Sequence, residues 1–160
     1  LESIKALFEE EIVASMQPVH KSDDARCAEK AIGPERCKTS YAFRSLLDAG
    51  ALVAFGSDWP VVSLNPFEGV WAAVTGLSLD GKVFVPEQNI TVGEALTCYT
   101  RNAARAAGDE ESLGMIKKNH LADFVIITPD AFITRPKDLD KVRVLETYVN
   151  GVRVYKAGRE

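Results

Sequence analysis

Apolar residues follow one kind of pattern over residues 1–110, where stretches with helical spacing alternate with short continuous apolar runs. The runs at 12–19 and 51–56 are typical of strands, and the second is typical of a strand buried on both faces of a parallel sheet. The predicted order of elements is helix, strand, helix, helix, strand, helix, helix. This order predicts an α/β protein with parallel strands.

Capping residues mark the boundaries of the predicted helices. Ser22 and Asn65 are predicted N-caps, and Thr91 with Glu94 forms a capping-box sequence that opens one helix over 91–108. The expected helix ends are three glycines: Gly33, Gly50 and Gly108.

A different pattern covers residues 111–160. The stretch ADFVIIT, 122–128, predicts a strand, and 142–158 contains two β-rich runs joined by Asn150-Gly151, a strong hairpin signal. The segment 127–141 between them is predicted to be a long surface loop. We therefore expect two parts, an α/β part over 1–110 and a small antiparallel part over 111–160.

Composition excludes several classes of protein. The chain has 160 residues, of which 46% are hydrophobic, and this is enough for a domain with a buried core. A net charge of −4 argues against nucleic-acid binding, and no run approaches the ~18 apolar residues of a membrane span. The three cysteines lack metal-site spacing and are expected to be reduced thiols, with Cys98 at a core position, so an intracellular, cytoplasmic location is expected.

The stretch VAFGSDWPV, 53–61, places one carboxylate where a buried strand is predicted to end. Ligands of parallel α/β sheets bind at the carboxyl ends of the strands, so Asp58 is a candidate general base or metal ligand. An aspartate at this place also fits a helix cap or an ion pair with an arginine. The residue types alone leave these interpretations open.

The ordered motifs RSLLDAGALVAFGSDWPV, NPF, ITVGEALTCYTRNAARAAG, LADFVIIT and VLETYVNGVRVY resemble the C-terminal part of the amidohydrolase superfamily. The segments ASMQPVH and ERCKTSYAFRSLLDAG are similar to the branch that contains N-substituted formamide deformylases, and to its plant members, some of which are linked to far-red light signalling. The resemblance covers nearly all of the chain.

This resemblance implies a fold and a reaction. The expected fold is the C-terminal fragment of a (β/α)₈ barrel, with about its last two strands, plus part of a small β-sandwich. The implied cofactor is a divalent metal, usually zinc, and Asp58 matches the aspartate that takes the proton of the metal-bound water and touches the metal. The implied reaction is hydrolysis of a non-peptide C–N bond in a small amide or formamide.

The metal ligands that the resemblance implies are not all present. The chain has no His-x-His, and its two histidines are His20 and His120. Zinc catalysis usually uses three protein ligands. We therefore expect a piece of a longer enzyme that is inactive alone, with open sheet edges that favour self-association. The alternative is a non-catalytic short form that acts as an interaction or regulatory module. A nucleotide-binding domain is disfavoured, because neither predicted strand is followed by a glycine-rich phosphate-binding loop.

Three further residues are predicted to bind substrate, each with an alternative. His20 follows the first predicted strand at the barrel mouth, although it also fits an idle loop histidine. Arg36 resembles a family arginine that would contact a carboxylate or carbonyl, or it forms a structural ion pair. Trp59 would line the pocket or belong to the core. His120 is interpreted as a solvated turn residue.

Overall fold

Two short parallel strands form the centre of the first part of the chain in the computed structural model, which describes residues 2–158. Helix α1 (Glu2–Glu9) leads into β1 (Ala14–Met16), and β1 pairs with β2 (Val53–Phe55). Met16 lies opposite Phe55, so the carboxyl ends of the two strands are in register. All three residues of β2 are buried, as expected for a parallel strand covered on both faces. The prediction of parallel strands is confirmed.

Four short helices connect the two strands: α2 (Pro18–Asp24), α3 (Ala28–Ile32), α4 (Pro34–Cys37) and α5 (Phe43–Asp48). The predicted strand over 12–19 is too long, because Pro18 fits the first position of a helix and begins α2. The prediction of Ser22 as an N-cap is wrong. Ser22 lies inside α2, and its hydroxyl donates a hydrogen bond of 2.6 Å to the carbonyl of Leu77. Gly33 does end α3.

Three helices follow β2: α6 (Pro66–Thr75), α7 (Val92–Tyr99) and α8 (Arg101–Ala107). Both predicted starts are confirmed, since Asn65 caps α6 and the capping box opens α7. The single helix predicted over 91–108 is wrong, because the backbone leaves helical geometry at Thr100. The break allows Asn102 on α8 to donate a side-chain hydrogen bond of 2.9 Å to the carbonyl of Val53 in β2.

The second part of the chain forms a three-stranded antiparallel sheet. Its strands are β3 (Phe124–Thr128), β4 (Arg143–Val149) and β5 (Val152–Lys156), in the order β3-β4-β5. Asn150 and Gly151 join β4 to β5, and both have positive φ angles, as the tight turn of a hairpin requires. The predicted strand and hairpin are confirmed.

One hydrophobic core connects the two parts. It contains Val53 and Phe55 of β2 and Val70 of α6, together with Leu139 and Val142 from the segment before β4. The segment 127–141 is therefore not only a surface loop, as predicted, because it contains a 3₁₀-helix (Pro136–Lys141) that packs against α6. The proposed division of the chain near residue 110 stays a prediction.

The outer strand β5 is exposed along its whole length, and its exposed side chains include Val152, Val154 and Tyr155. Such an edge can pair with another strand, and the predicted self-association would use it. Among residues 2–158, no helix is both long enough and apolar enough to span a membrane.

Candidate active site

His20 and Asp58 meet at the carboxyl ends of the two parallel strands. The backbone N–H of Gly56 donates to the carbonyl of Met16 at 3.0 Å, which extends the pairing past the last residues of β1 and β2. Asp58 follows three residues after β2 ends, and His20 follows four residues after β1 ends. The His20 Nε2 atom lies 3.6 Å from Asp58 Oδ2. Two candidates that the sequence places 38 positions apart are thus neighbours in the fold.

A tight turn presents the Asp58 side chain. Asp58 has a φ of +57°, and this left-handed conformation is one that aspartate adopts more readily than most residues. Its carbonyl accepts from the backbone N–H of Val61 at 2.9 Å, and the Ser57 hydroxyl accepts from the backbone N–H of Trp59 at 3.3 Å. The Asp58 side chain is 55% exposed.

The cap and ion-pair interpretations of Asp58 can now be compared with the contacts. The N-cap of the next helix, α6, is Asn65, whose side-chain oxygen accepts from the backbone N–H of Phe67. Within the described part of the chain, Asp58 forms no ion pair with an arginine, and the imidazole of His20 lies beside it. These contacts leave the Asp58 carboxylate available for a ligand.

His20 lies on the first turn of α2, with 23% of its side chain exposed. Its Nε2 atom is buried and has no hydrogen-bond partner among the described residues. The next residue, Lys21, is fully buried, and its ammonium donates to the carbonyl of Val85 and to the side-chain oxygen of Asn89 at 3.2 and 2.7 Å. Burial lowers the pKa of Lys21 to about 8. The Lys21 ammonium is therefore bound to the segment that contains Val85 and Asn89, and not to Asp58.

The burial of Lys21 was not predicted from the sequence. Lys21 follows Pro18 by three positions and shares the buried side of α2 with it, but only the structure shows that this side is buried. His120 also differs from its interpretation as a solvated residue, since both of its ring nitrogens are buried without a hydrogen-bond partner in residues 2–158. Cys98 is buried, as predicted.

The other two predicted substrate contacts are exposed. Trp59 is 65% exposed, so in this chain it is not a core residue, and Val61 and Leu64, which follow it in the sequence, are exposed too. Arg36 lies on the surface of α4. No hydrogen bond or ion pair joins its guanidinium to the described residues, so the structural ion pair is not observed and the proposed contact with substrate stays a prediction.

The chemistry of this pair suits a divalent metal, although the donor set is partial. Imidazole nitrogen and carboxylate oxygen are both common zinc ligands. Residues 2–158 contain no group of three or more histidine, cysteine, aspartate or glutamate side chains that could hold a metal ion. The described residues therefore supply at most two ligands at this place.

A cleft of about 760 Å³ lies elsewhere, at the amino ends of the strands, between the end of α1, residues 50–52 and Arg101 and Arg105 of α8. It contains neither His20 nor Asp58. Because ligands of parallel α/β sheets bind at the carboxyl ends of the strands, we assign the chemistry to the His20–Asp58 end and not to this cleft.

Comparisons with known proteins agree with the arrangement of motifs. The sequence pattern of the amidohydrolase family matches residues 2–155. The chain is 42% identical over 146 residues to Protein LONG AFTER FAR-RED 3 of Arabidopsis thaliana, covering 90% of this chain and 25% of that protein. It is 34% identical over 116 residues to N-substituted formamide deformylase of Arthrobacter pascens, covering 72% of this chain and 21% of that enzyme.

Solved structures share the fold. An uncharacterized metal-dependent hydrolase from Pyrococcus horikoshii superimposes with a TM-score of 0.74 at 23% identity, over 84% of this chain and 28% of the hydrolase. The chain thus spans about a quarter of the length of these proteins.

Proposed function

The chain belongs to the amidohydrolase family, and on that basis we propose that it is the C-terminal part of a metal-dependent hydrolase that cleaves a non-peptide C–N bond. The observation that carries this proposal is the position of Asp58. Its carboxylate stands in a tight turn at the carboxyl end of β2, exposed and beside His20. This is the place where an α/β enzyme binds its ligand.

The proposed parent fold is a (β/α)₈ barrel with a small β-sandwich beside it. In this arrangement β1 and β2 are the last two barrel strands, and β3, β4 and β5 are the C-terminal share of the sandwich. The parallel pairing of β1 with β2 and the antiparallel sheet that follows support the assignment. The similarity to about a quarter of a larger hydrolase structure supports it further.

Asp58 has two tasks in the proposed reaction. It helps to hold a divalent metal, for which we propose zinc, and it accepts a proton from the attacking water. A bound metal of this kind lowers the pKa of water and polarises a carbonyl. Asp58 then returns the proton to the nitrogen that leaves as the new C–O bond forms and the C–N bond breaks. The exposure of its carboxylate gives it access to both water and substrate.

We propose that the substrate is a small amide or formamide. Trp59 offers an exposed aromatic surface beside Asp58, suited to an apolar substituent on the nitrogen. Arg36 would contact a carbonyl or carboxylate of the substrate, and His20 lies close enough to Asp58 to contact the same ligand. Because the donor set here is partial, we propose that this chain alone does not turn over substrate.

A second candidate function is that of a non-catalytic interaction module. The exposed edge strand β5 favours it, because all five of its residues face solvent and its backbone edge can accept another strand. This function predicts stable binding to a partner, or to a longer form of the protein, without turnover.

Substitution of Asp58 in the longer protein tests the catalytic proposal. Turnover of an N-substituted formamide and of a simple aryl amide is measured for the wild type and for Asp58→Asn, which keeps the size and removes the base. Loss of a general base is expected to lower kcat by about 10²- to 10⁴-fold. The matched control is Asp109→Asn, at an exposed carboxylate after α8, which is expected to keep wild-type kcat. Unchanged kcat in Asp58→Asn would contradict the proposal, and hydrolysis by the 160-residue chain would contradict its inactivity.

A further inference from the structure

The buried Lys21 side chain connects the helix that carries His20 to a distant segment of the chain. Its ammonium donates to the carbonyl of Val85 at 3.2 Å and to the side-chain oxygen of Asn89 at 2.7 Å, and these partners lie 64 and 68 positions further along the sequence. Burial of an ammonium is costly unless it is hydrogen-bonded, whereas an apolar side chain of similar length would fill the same space. The charge of Lys21 therefore requires an explanation beyond packing.

The segment that accepts these hydrogen bonds has an unusual backbone and close packing. Val85 has a φ of +45°, a left-handed conformation that is rare for a β-branched residue. Asn89 packs on the end of α6, where a Cβ atom on Gly76 would lie 2.6 Å from the Asn89 side-chain oxygen. Strained backbone persists only where the surrounding structure imposes it, and such positions cluster at functional sites. The two acceptor oxygens for Lys21 are thus held in place by tertiary structure.

The His20 ring depends on α2 for its position. Its Nε2 atom is buried and has no hydrogen-bond partner among the described residues, so no bond of this atom orients the ring. Successive residues of a helix point about 100° apart. Lys21 is therefore directed into the protein, while His20 Nε2 lies 3.6 Å from Asp58 Oδ2. This distance is longer than the ~2.7–3.2 Å of a direct hydrogen bond, so the two groups are close without being bonded to each other.

We propose that Lys21 is a positioning residue of the hydrolytic site. It holds the first turn of α2 against the segment 85–89 and so keeps the His20 imidazole beside the Asp58 carboxylate, without contact of its own with substrate. The Ser22 hydroxyl gives α2 a second anchor at the carbonyl of Leu77, so loss of Lys21 is expected to shift the helix and not to unfold it. The inference rests on the proposed function, because the site that Lys21 positions is the site proposed there.

Nuclear magnetic resonance of the 160-residue chain tests the position of the ring without any need for activity. The Hε1 signal of His20 is identified by its absence in His20→Asn. Its change in chemical shift on Asp58→Asn reports the nearby carboxylate. This Hε1 response is expected in the wild-type background and is expected to be lost in the Lys21→Met background. Comparison of the two backgrounds cancels the direct effect of the Lys21 charge on the ring.

Turnover by the longer protein tests the consequence for catalysis. Lys21→Met is expected to lower kcat/KM by about 10- to 100-fold, because a displacement of ~1 Å from productive geometry can cost about 10²-fold. The loss is expected to divide between kcat and KM as it does in His20→Asn. It is expected to vanish when His20 is already replaced, since Lys21 acts only through His20.

Gln88→Ala is the matched control. Gln88 is buried in the same segment, but its side chain bonds to Ser45 of α5 and not to α2. This variant is expected to lower the free energy of unfolding and to leave the Hε1 response and kcat/KM unchanged. Circular dichroism confirms that each variant is folded.

A second pair of variants removes the same contact from its other side. Asn89→Ala deletes the acceptor at 2.7 Å and is expected to lose the Hε1 response, as Lys21→Met does. Asn89→Asp keeps an acceptor oxygen for the ammonium and is expected to rescue the response that Asn89→Ala loses. This pair decides the question if Lys21→Met does not fold.

Three results would overturn the inference. They are a wild-type Hε1 response in the folded Lys21→Met or Asn89→Ala chain, a loss of kcat/KM in Lys21→Met that persists after His20 is replaced, or equal effects of Gln88→Ala and Lys21→Met. The last result would show a general loosening of the segment 85–89. Absence of turnover in the longer wild-type protein would contradict the proposed function, whereas the Hε1 response would still decide whether Lys21 positions His20.

Discussion

Replacement of the buried Lys21 by methionine is expected to change how the stability of the chain depends on pH. The Lys21 side chain is inaccessible to solvent, and its ammonium donates hydrogen bonds to Val85 and Asn89 and lies 5.8 Å from the centre of the Phe43 ring. Methionine has a similar length and no charge. The substitution therefore removes a titrating group while it keeps most of the packing.

The size and sign of the effect follow from the pKa of Lys21. Burial lowers this pKa from 10.5 to about 8, against a smaller opposing effect of Glu87. Between pH 8 and 10.5 the unfolded chain holds a proton on Lys21 that the folded chain has released, so this residue makes the free energy of unfolding rise with pH. The difference between the two pKa values corresponds to about 3 kcal/mol in the free energy of unfolding, and about 2 kcal/mol of this is gained between pH 7 and pH 9.5.

Urea denaturation at pH 7 and pH 9.5 measures this effect. The free energy of unfolding of the wild type minus that of Lys21→Met is expected to increase by about 2 kcal/mol between the two pH values. Subtraction cancels the other titrating groups, which are common to both chains. Lys82→Met, at a lysine that is 82% exposed, is the control and is expected to show no such increase. A constant difference between wild type and Lys21→Met would refute the reasoning, because it would mean that Lys21 is not deprotonated earlier in the folded chain.

Two further predictions concern the helices that support the site. A Cβ atom on Gly69 would collide with the Tyr99 hydroxyl and lie 2.8 Å from its ring, whereas one on Gly93 would make an ordinary contact of 3.8 Å. Gly69→Ala is therefore expected to lower the free energy of unfolding by about 1–3 kcal/mol and Gly93→Ala to leave it equal or higher, as measured by urea denaturation, and equal effects would contradict this prediction. The pKa of Glu94 is lowered to about 2, mainly by the hydrogen bond that Arg44 donates to it. The ionised Glu94 side chain therefore stabilises the folded chain above pH 4.5, and this stabilisation is lost as the pH falls towards 2. Between pH 6 and pH 2.5, Glu94→Gln is expected to lose about 1–2 kcal/mol less free energy of unfolding than the wild type. The figure is kept small because the side chain is one-third exposed and partly screened by solvent. An equal loss in both chains, measured by urea denaturation at the two pH values, would contradict this prediction.

Local signals in the sequence predicted much of the secondary structure correctly. Asn65 caps α6, Thr91 and Glu94 form the capping box of α7, and Asn150-Gly151 forms the hairpin turn. Each of these features depends on hydrogen bonds or backbone angles within a few residues, so neighbouring residues are sufficient to specify it. The order of motifs along the chain also predicted membership of the amidohydrolase family and similarity to a formamide deformylase and to a plant protein of the far-red type, and the comparisons confirm this.

Predictions from the local sequence were wrong where contact with a distant segment determines the structure. Ser22 was predicted to cap a helix because serine often does so, but the carbonyl of Leu77 binds its hydroxyl within α2. The helix over 91–108 breaks at Thr100, and the break places Asn102 against β2. The segment 127–141 packs on α6 because the Leu139 side chain is buried in the core. Each partner is many residues away, and no pattern in the neighbouring sequence indicates it.

The candidate site shows the same division. The residue types and their places after two apolar runs were sufficient to select Asp58 and His20 one at a time. Their contact depends on the parallel register of β1 with β2 and on the docking of α2 by Lys21 and Ser22. Long-range hydrogen bonding and burial establish that geometry, and these act between segments that the linear order of residues does not bring together. The sequence by itself thus determines which chemical groups are present. The distance of 3.6 Å between His20 Nε2 and Asp58 Oδ2 is determined only by the folded chain.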